Sequence, residues 1–321
     1  MRPPFFSIII PVRHKTAYLK ETLTHLKQQT FRQFEILVIT DKISGTANPA
    51  QKRNLGAKKA QGLYLAFLDD DSYPHSNWLE NSYNQIQQHP NFAAFCGPSL
   101  TPPKDNPYQQ ASGLVWGSLL GSGGAGRYRN QANKPRFVDD FPSVNLIVKK
   151  SDFFAIKGFT THHWPGEDTI LCLNLTQKLH KKIYYHPSIQ VFHHRRPIIK
   201  HHLQQITRYA LHRGHFARIY PKTSLRLGYL GPSAFFIYLL VLPLFINHIS
   251  YIIYPLCLYL LLLFLTFLNF FYRHNFRLAI LATVTIPITH LYYGILFLIG
   301  FFTPKLNFNP HQTNKHGYIG G

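Results

Sequence analysis

The chain is short of acidic residues. It has 13 Asp and Glu residues against 34 Lys and Arg residues, which gives a formal net charge of +21. No acidic residue follows Asp168. A surface of this charge favours nucleic acids, anionic lipid head groups or phosphorylated substrates as partners. We do not expect nucleic acid to be the partner, because the basic residues are dispersed and no RNA- or DNA-binding motif is present.

Cysteine is also scarce. Cys96, Cys172 and Cys257 are far apart and odd in number. This pattern implies neither a disulfide framework nor a zinc site, and it is typical of a reducing compartment.

Apolar runs long enough to cross a membrane are absent before residue 226. After it come three such runs, at about 228–246, 249–272 and 276–302, each near the roughly 20 residues that a membrane helix needs. They have no polar face, which argues against a buried helical core. We therefore expect a front domain at 1–226, transmembrane helices at 227–303 and a polar tail at 304–321. The basic link 273–277 predicts a cytoplasmic front domain and, after three crossings, an outside C-terminus.

The first 70 residues alternate between strand and helix patterns. The predicted order is a strand at Ser7–Pro11, a helix at Thr16–Thr30, a strand at Phe34–Thr40, a helix capped by Asn48 at Gln51–Ala60 and a strand at Leu63–Leu68. This alternation predicts an α/β fold with a mostly parallel sheet and flanking helices.

Three adjacent carboxylates, Asp69–Asp71, directly follow the third predicted strand. Neighbouring like charges repel by roughly 1 kcal/mol even in water. A divalent cation such as Mg²⁺ or Mn²⁺ would offset them, and the alternative is a solvated acidic turn. Pro11–Arg13 follow the first strand and Asp41 follows the second. Ligands bind beyond the carboxyl ends of such strands, so a phosphorylated, metal-bridged ligand is predicted at this edge.

Two further motifs have simple structural interpretations. Glu167 and Asp168 precede a predicted helix, where acids complement the helix dipole. Gly121–Gly126 formally matches G-x-G-x-x-G. It does not follow a first strand and precedes no clear helix, so we predict a loop and not a dinucleotide site.

Taken together, the motifs resemble those of the family-2 glycosyltransferases, which have the GT-A nucleotide-diphospho-sugar fold. The matching segments, in family order, are Ser7–Val12, Phe34–Asp41, Lys52–Gly56, Gly62–Asp71, Gly158-Phe159, Gly166–Thr169, Val191–His193 and Gln205–Tyr209. The resemblance covers essentially residues 5–220, and membrane helices after the domain are common in bacterial members.

The resemblance implies roles on the donor side of the site. The residues expected to bind the nucleotide sugar are Pro11, Val12, Arg13, Asp41, Arg53, Asp69 and Asp70, with Asp41 at the base and Arg53 near the diphosphate. Asp71 and Asp69 would hold the metal. His193 would be the third ligand, or its neighbour His194 in its place.

On the acceptor side, the resemblance implies that Asp168, paired with Glu167, is the catalytic base of an inverting transfer. An α-linked donor would then give a β-type product. Gln205, Arg208 and Tyr209 resemble the Q-x-x-R-W motif of polysaccharide synthases, with Tyr in place of Trp, on an amphipathic helix at about 199–220. Trp164 is assigned to the same side. The alternative is an ordinary basic helix lying on anionic lipid.

The function expected from this resemblance is transfer of a single sugar to a lipid-linked or glycan acceptor. The enzyme would be metal-dependent and sit at the cytoplasmic face of a bacterial inner membrane, where it serves cell-envelope synthesis. Its partners would be a nucleotide-diphosphate sugar, the acceptor and membrane lipids. A processive polysaccharide synthase and a non-catalytic membrane scaffold or lipid-binding protein are the alternatives.

Overall fold

A computed structural model describes residues 3–306 of the chain. Most of the predicted tail at 304–321 therefore lies outside the described residues. The strands are β1 Phe6–Pro11, β2 Phe34–Ile39, β3 Tyr64–Leu68, β4 Ser72–Pro74, β5 Ala94–Cys96, β6 Ser99–Leu100, β7 Arg136–Val138, β8 Asn145–Lys149, β9 Ile183–Tyr185 and β10 Val191–His193.

The helices, in chain order, are α1 Ala17–Lys27, α2 Asp41–Ser44, α3 Pro49–Lys59, α4 Trp78–Gln88, α5 Pro107–Gly117, α6 Leu119–Ser122, α7 Ala125–Asn130, α8 Lys150–Ala155, α9 Glu167–Leu173, α10 Lys200–Ile219, α11 Pro221–Ser224, α12 Leu227–Val241, α13 Ile249–Ile252, α14 Tyr254–Arg273 and α15 Phe276–Phe302. A π-helical turn, Asn174–Lys178, continues α9, and a 3-10 segment, Leu242–His248, follows α12.

The described chain forms two compact units. The first contains residues up to Leu100 and Gln131–His194, and the second contains Thr101–Asn130 and Arg195–Leu306. These divisions lie after Leu100, Asn130 and His194 and not near residue 226, so the predicted domain boundary there stays a prediction. The segment 101–130 belongs with the C-terminal helices, although it interrupts the first unit in sequence.

The first unit is built on a seven-stranded sheet with the order β2-β1-β3-β8-β5-β9-β7. β1 pairs in parallel with β2 and β3, and β5 pairs in parallel with β9. β8 runs antiparallel to β3 and β5, and β7 antiparallel to β9. The prediction of a mostly parallel α/β sheet is confirmed, because only the two strands β7 and β8 are reversed.

Local sequence explains why the first part of this sheet forms. Every residue of β1 and of β3 is buried, as expected for continuous apolar strands covered on both faces. Asn48 caps α3 by accepting hydrogen bonds from the backbone N–H groups of Ala50 and Gln51, and Pro49 is the first helical residue. Gly56 lets α3 approach β1, since a side chain there would collide with Ile9.

A second sheet of three strands, β4-β10-β6, completes the first unit. β4 follows directly on Asp69–Asp71, and β10 pairs with it antiparallel so that His193 is opposite Ser72. This long-range pairing brings the end of the unit back to the acidic run.

The second unit contains the three apolar helices that the sequence predicts. Stretches long and apolar enough to cross a membrane are Leu227–Phe245, Tyr254–Arg273 and Phe276–Phe302. The second begins later than predicted because residues 249–252 form the separate turn α13, and Pro255 lies in the first turn of α14. The presence of three such helices is confirmed.

The prediction of a loop at Gly121–Gly126 is wrong. The segment contains the end of α6 and the start of α7, and the left-handed residues Gly123 and Gly124 form only the turn between them. The sequence favoured a loop because four glycines in six residues lower helix propensity. Ser118 offsets this by capping α6 through the backbone N–H of Gly121.

Candidate active site

The acidic run lies at the carboxyl end of the central strand β3. Asp69 is half-buried, whereas Asp70 and Asp71 are 3% and 1% exposed. Ser72 donates from its backbone N–H and its hydroxyl to the carbonyl of Asp69, at 3.2 and 2.8 Å. Thr22 donates to the carbonyl of Asp70 at 3.2 Å. These bonds fix the backbone of the turn, and the burial of Asp70 and Asp71 argues against a solvated acidic turn.

A group of three side chains there fits a divalent metal. Asp69, Asp71 and His193 each offer a ligand atom, and these atoms lie within 4.8 Å of one another. The Nε2 atom of His193 is 3.3 Å from Oδ1 of Asp71. Two hard carboxylate oxygens and one imidazole nitrogen suit Mn²⁺, and the oxygens also suit Mg²⁺.

The structure places His193, and not His194, in this group. The backbone N–H of His194 donates to the carbonyl of Asp71 at 3.1 Å. Its ring pairs with Glu21, at 2.9 Å between Nε2 and Oε2, and packs on Tyr18. Alternation along β10 explains this, because successive side chains point to opposite faces of a strand.

Arg53 joins the acidic run to the Glu167-Asp168 pair. Its guanidinium is buried, with Nη2 at 2.6 Å from Oδ1 of Asp69 and Nη1 at 3.0 Å from Oε1 of Glu167. The sequence predicts Arg53 near a diphosphate but gives no sign of this bridge. One buried cation thus holds carboxylates from two distant parts of the chain.

Glu167 and Asp168 begin α9 after Gly166, whose φ of 116° requires glycine. Glu167 is buried. Its burial, and then the charge of Asp168, raise the pKa of Glu167 to about 7, although Arg53 acts in the opposite direction. Asp168 is less buried, and its Oδ1 accepts the backbone N–H of Thr169 at 2.8 Å. The pair therefore does more than complement the helix dipole.

A second ion pair lies at the ends of β1 and β2. Lys52 is buried and forms an ion pair with Asp41. Its ammonium also donates to the carbonyl of Val12 at 3.0 Å, and the N–H of Asp41 donates to the carbonyl of Arg13 at 3.3 Å. Burial lowers the pKa of Lys52, and the Asp41 pair opposes that shift. Pro11, Val12, Arg13 and Asp41 are thus brought together as predicted from the sheet.

Sequence reasoning missed the role of Lys52, although a signal was present. Lys52 and Arg53 precede Gly56 and Ala57 by four residues, and all four are buried in α3. Residues four apart share a helix face, so two cations lie on the same packed side as the small residues. Buried cations require partners of opposite charge, which here are the carboxylates of Asp41, Asp69 and Glu167.

The residues assigned to the acceptor side are divided between the two units. Trp164 is in the first unit, half-buried and three residues before Glu167. Gln205, Arg208 and Tyr209 are on α10 in the second unit. Tyr209 is exposed and packs edge-on against Trp116, with ring centroids 5.9 Å apart. Their assignment to an acceptor stays a prediction.

Comparisons with known proteins match part of the chain. Residues 43–152 match the model of glycosyl transferase family 2. An uncharacterized glycosyltransferase of Haemophilus influenzae is 31% identical over 125 residues, which cover 30% of this chain and 50% of the relative. The glycosyltransferase AglE of Haloferax volcanii is 30% identical over 108 residues, covering 26% of this chain and 36% of AglE. The chain thus spans half or less of the length of these relatives.

Among solved structures, one similar chain is Staphylococcus aureus TarS 1-349 in complex with UDP-GlcNAc. It has a TM-score of 0.43 and 14% sequence identity, with 65% of this chain and 66% of that chain covered. The family match includes Lys52, Arg53 and Asp69–Asp71, and the apolar helices follow it in the same chain. Residues 43–152 are thus similar to glycosyltransferase family 2, and three apolar helices follow them in the same chain.

Proposed function

We propose that the chain is a metal-dependent, inverting glycosyltransferase that moves one sugar from a nucleotide-diphosphate sugar to a lipid-linked or glycan acceptor. Its place would be the cytoplasmic face of a bacterial inner membrane, in envelope polysaccharide or glycolipid synthesis. The observation that carries the proposal is the Arg53 bridge, which joins the carboxylate group around Asp71 to the pair Glu167-Asp168.

The donor side of the proposal rests on two carboxylate groups at one sheet edge. Asp41, held by Lys52, is available to accept a hydrogen bond from a nucleobase. Asp69, Asp71 and His193 would hold Mn²⁺ or Mg²⁺. When bound there, such an ion supplies Lewis-acid stabilisation of the departing diphosphate. TarS has been crystallised with UDP and UDP-GlcNAc, so a UDP-sugar is our first choice of donor.

The acceptor side rests on the contrast between two neighbouring carboxyl groups. Glu167 is buried with a pKa raised to about 7 and is occupied with Arg53. Asp168 is more exposed, so we assign it to take the proton of the acceptor hydroxyl. A single displacement by that hydroxyl inverts the anomeric carbon and needs no covalent sugar–enzyme bond. Glu167 positions the helix that carries the base.

The experiment for this proposal is a donor screen on the detergent-solubilised full chain. Nucleoside diphosphate release is measured for a panel of UDP-, GDP- and dTDP-sugars with Mn²⁺ or Mg²⁺ and polyprenyl-phosphate or glycolipid acceptors. One donor is expected to react well above the rest and to give a product with one added sugar. Long polymers would favour the processive synthase. Failure of every donor, with intact membrane insertion, would favour the scaffold.

Lys52→Met is expected to weaken donor binding more than catalysis. The substitution leaves Asp41 without its cation and removes a charged hydrogen bond, an interaction of about 1.5–3 kcal/mol. We expect the donor KM to rise about 10- to 100-fold with a smaller change in kcat. Lys58→Met, at an exposed position on the same helix, is the matched control and keeps the wild-type KM. A Lys52 variant with an unchanged donor KM contradicts the assignment.

His193 predicts a preference for Mn²⁺ over Mg²⁺. Imidazole binds transition-metal ions more readily than Mg²⁺, whereas carboxylates accept both. We expect higher activity with Mn²⁺ than with Mg²⁺ at equal metal concentration. In His193→Asp the difference in activity between the two metals should become smaller. In His194→Gln the preference should be kept, because that ring pairs with Glu21. The measurement is the rate of nucleoside diphosphate release with each metal. If the Mn²⁺ preference falls equally in both variants, His193 is not a specific metal ligand.

A further inference from the structure

The longest apolar helix, α15, is covered along its C-terminal half by the polar helix α10. Three polar contacts mark the pairing, namely His202 Nε2 to Thr289 Oγ1 at 3.0 Å, Thr207 Oγ1 to Tyr292 Oη at 3.0 Å and Arg218 Nη2 to the Thr303 carbonyl at 2.7 Å. Because the residue numbers rise together on both helices, the helices run side by side in the same direction. The paired part of α10 is about 24 Å long at about 1.5 Å per residue.

The packing between these helices is close. A side chain at Gly214 would collide with the carbonyl of Phe297, and one at Gly300 would collide with the carbonyl of Leu211. His215 adds a contact of 3.1 Å between Nδ1 and the carbonyl of Thr303. Small residues where the helices cross and polar contacts at both ends indicate a specific, closely packed helix pair.

The N-terminal half of α15 is covered by α5 and the start of α6. Arg277 lies over the ring of Tyr108, at 5.9 Å. Further along, Ala111 and Val115 share an apolar cluster with four residues of α15, which are Leu278, Ala279, Ala282 and Ile286. The His290 ring then contacts the carbonyl of Leu120 at 2.9 Å. One side of α15 is therefore covered from residue 277 to residue 303.

α10 is too polar to lie within a bilayer core, and α5 has polar residues at its start. Within the paired stretch, α10 carries Gln204, Gln205, Arg208, Arg213 and Arg218. α5 begins in a polar cluster, where Gln109 donates to the carbonyl of Arg195 at 3.0 Å. If α15 crossed a membrane, one of these segments would have to enter the hydrocarbon with it.

The opposite side of α15 is an exposed apolar stripe. Its large side chains are Ile280, Val284, Ile295, Ile299 and Phe302, which are 38–73% exposed. The apolar stretches Leu227–Phe245 and Tyr254–Arg273 are each only 6% buried, whereas the stretch Phe276–Phe302, which is α15, is 39% buried. A helix that is covered by a polar helix on one side and exposes an apolar stripe on the other suits a position in the membrane surface.

We propose that α15 lies along the membrane surface, with this stripe against the acyl chains of one leaflet and its other side against α5 and α10. The chain then leaves the bilayer on the side where it entered, and the end of α15 is on the same side as α10. This differs from the three crossings and the outside C-terminus that charge and hydropathy predict. Lipid of a single leaflet, and not a protein partner, is the occupant of the stripe.

The first test is the side of the membrane that carries residue 305. Single cysteines are introduced as Lys305→Cys and Lys58→Cys in a Cys257→Ser background, because Cys257 is exposed and the other two cysteines are buried. A membrane-impermeant maleimide is applied to intact spheroplasts and to inverted vesicles. We expect both positions to react on the same side only. Reaction of Lys305→Cys on the side opposite to Lys58→Cys contradicts the proposal.

A second test measures how deeply α15 lies in the membrane, and it does not depend on the position of the C-terminus. Spin labels are placed at residues 280, 284, 295 and 299 of the full chain in lipid nanodiscs, and accessibility to O₂ and to a water-soluble nickel complex is compared. A helix lying in the surface gives nearly equal depths at all four positions. A crossing helix gives shallow ends and a deep middle, and strong nickel accessibility at all four indicates a stripe that does not contact lipid. Either of these results overturns the proposal.

Discussion

Replacing Asp168 with asparagine is expected to lower sugar transfer about 10²- to 10⁴-fold, the usual contribution of a general base. The amide keeps the shape of the side chain and can still accept the Thr169 N–H bond of 2.8 Å. It cannot take the acceptor proton. Donor binding should be unchanged, because Asp168 belongs to neither the Asp41 pair nor the metal group. Initial rates and donor affinity, measured on the same preparation, separate the two effects.

The matched control for this variant is Glu80→Gln, which removes a carboxylate from the exposed face of α4. It should keep the wild-type rate. If Asp168→Asn transferred sugar at the wild-type rate, another group would have to take the proton of the acceptor hydroxyl. A parallel loss of donor affinity would instead place Asp168 on the donor side.

Arg53→Met is expected to damage both stability and activity. The substitution leaves Asp69 and the buried Glu167 without their shared cation, and breaking a buried ion pair in this way costs about 3–5 kcal/mol. The two carboxylate groups would also shift relative to each other, and a displacement of about 1 Å can lower the rate about 10²-fold. Thermal unfolding in detergent and the transfer rate are the measurements.

Two further variants separate these effects. Lys181→Met breaks another ion pair, 2.6 Å long, between the half-buried Lys181 and the buried Asp152, which are not site residues. It should lower stability while keeping the specific activity of the folded protein. Arg53→Met combined with Glu167→Gln removes one of the stranded charges and should recover part of the lost stability. If the double variant is no more stable than Arg53→Met, the bridge does not hold the fold as described.

Much of the site was predictable because it depends on local patterns. The strand and helix alternation places Pro11–Arg13, Asp41 and Asp69–Asp71 after three neighbouring parallel strands. Strands of this kind end at one edge of a sheet, whatever the side-chain details. The cap of α3 at Asn48 and Pro49 was likewise readable, since it depends on residues only a few positions apart.

The parts that were not predictable depend on pairings between distant residues. The bridge of Arg53 to Glu167 joins positions more than 100 residues apart, and the local sequence around either residue does not predict its partner. The same holds for α10 beside α15. Each helix has its own interpretation from sequence, one as interfacial and one as a membrane span. Only their contacts along 202–218 and 289–303 lead to the proposal that α15 lies along the membrane surface.

The central claim is that Asp69, Asp71 and His193 bind a divalent ion that the donor diphosphate needs. Calorimetric titration of the accepted nucleotide sugar, with Mn²⁺ and after chelation, tests it most directly, with Asp71→Asn measured alongside. We predict that chelation and the Asp71 substitution each weaken donor binding by about 10- to 100-fold, the effect of losing a charged contact. Equal donor affinity with metal, without metal and in Asp71→Asn would contradict the account.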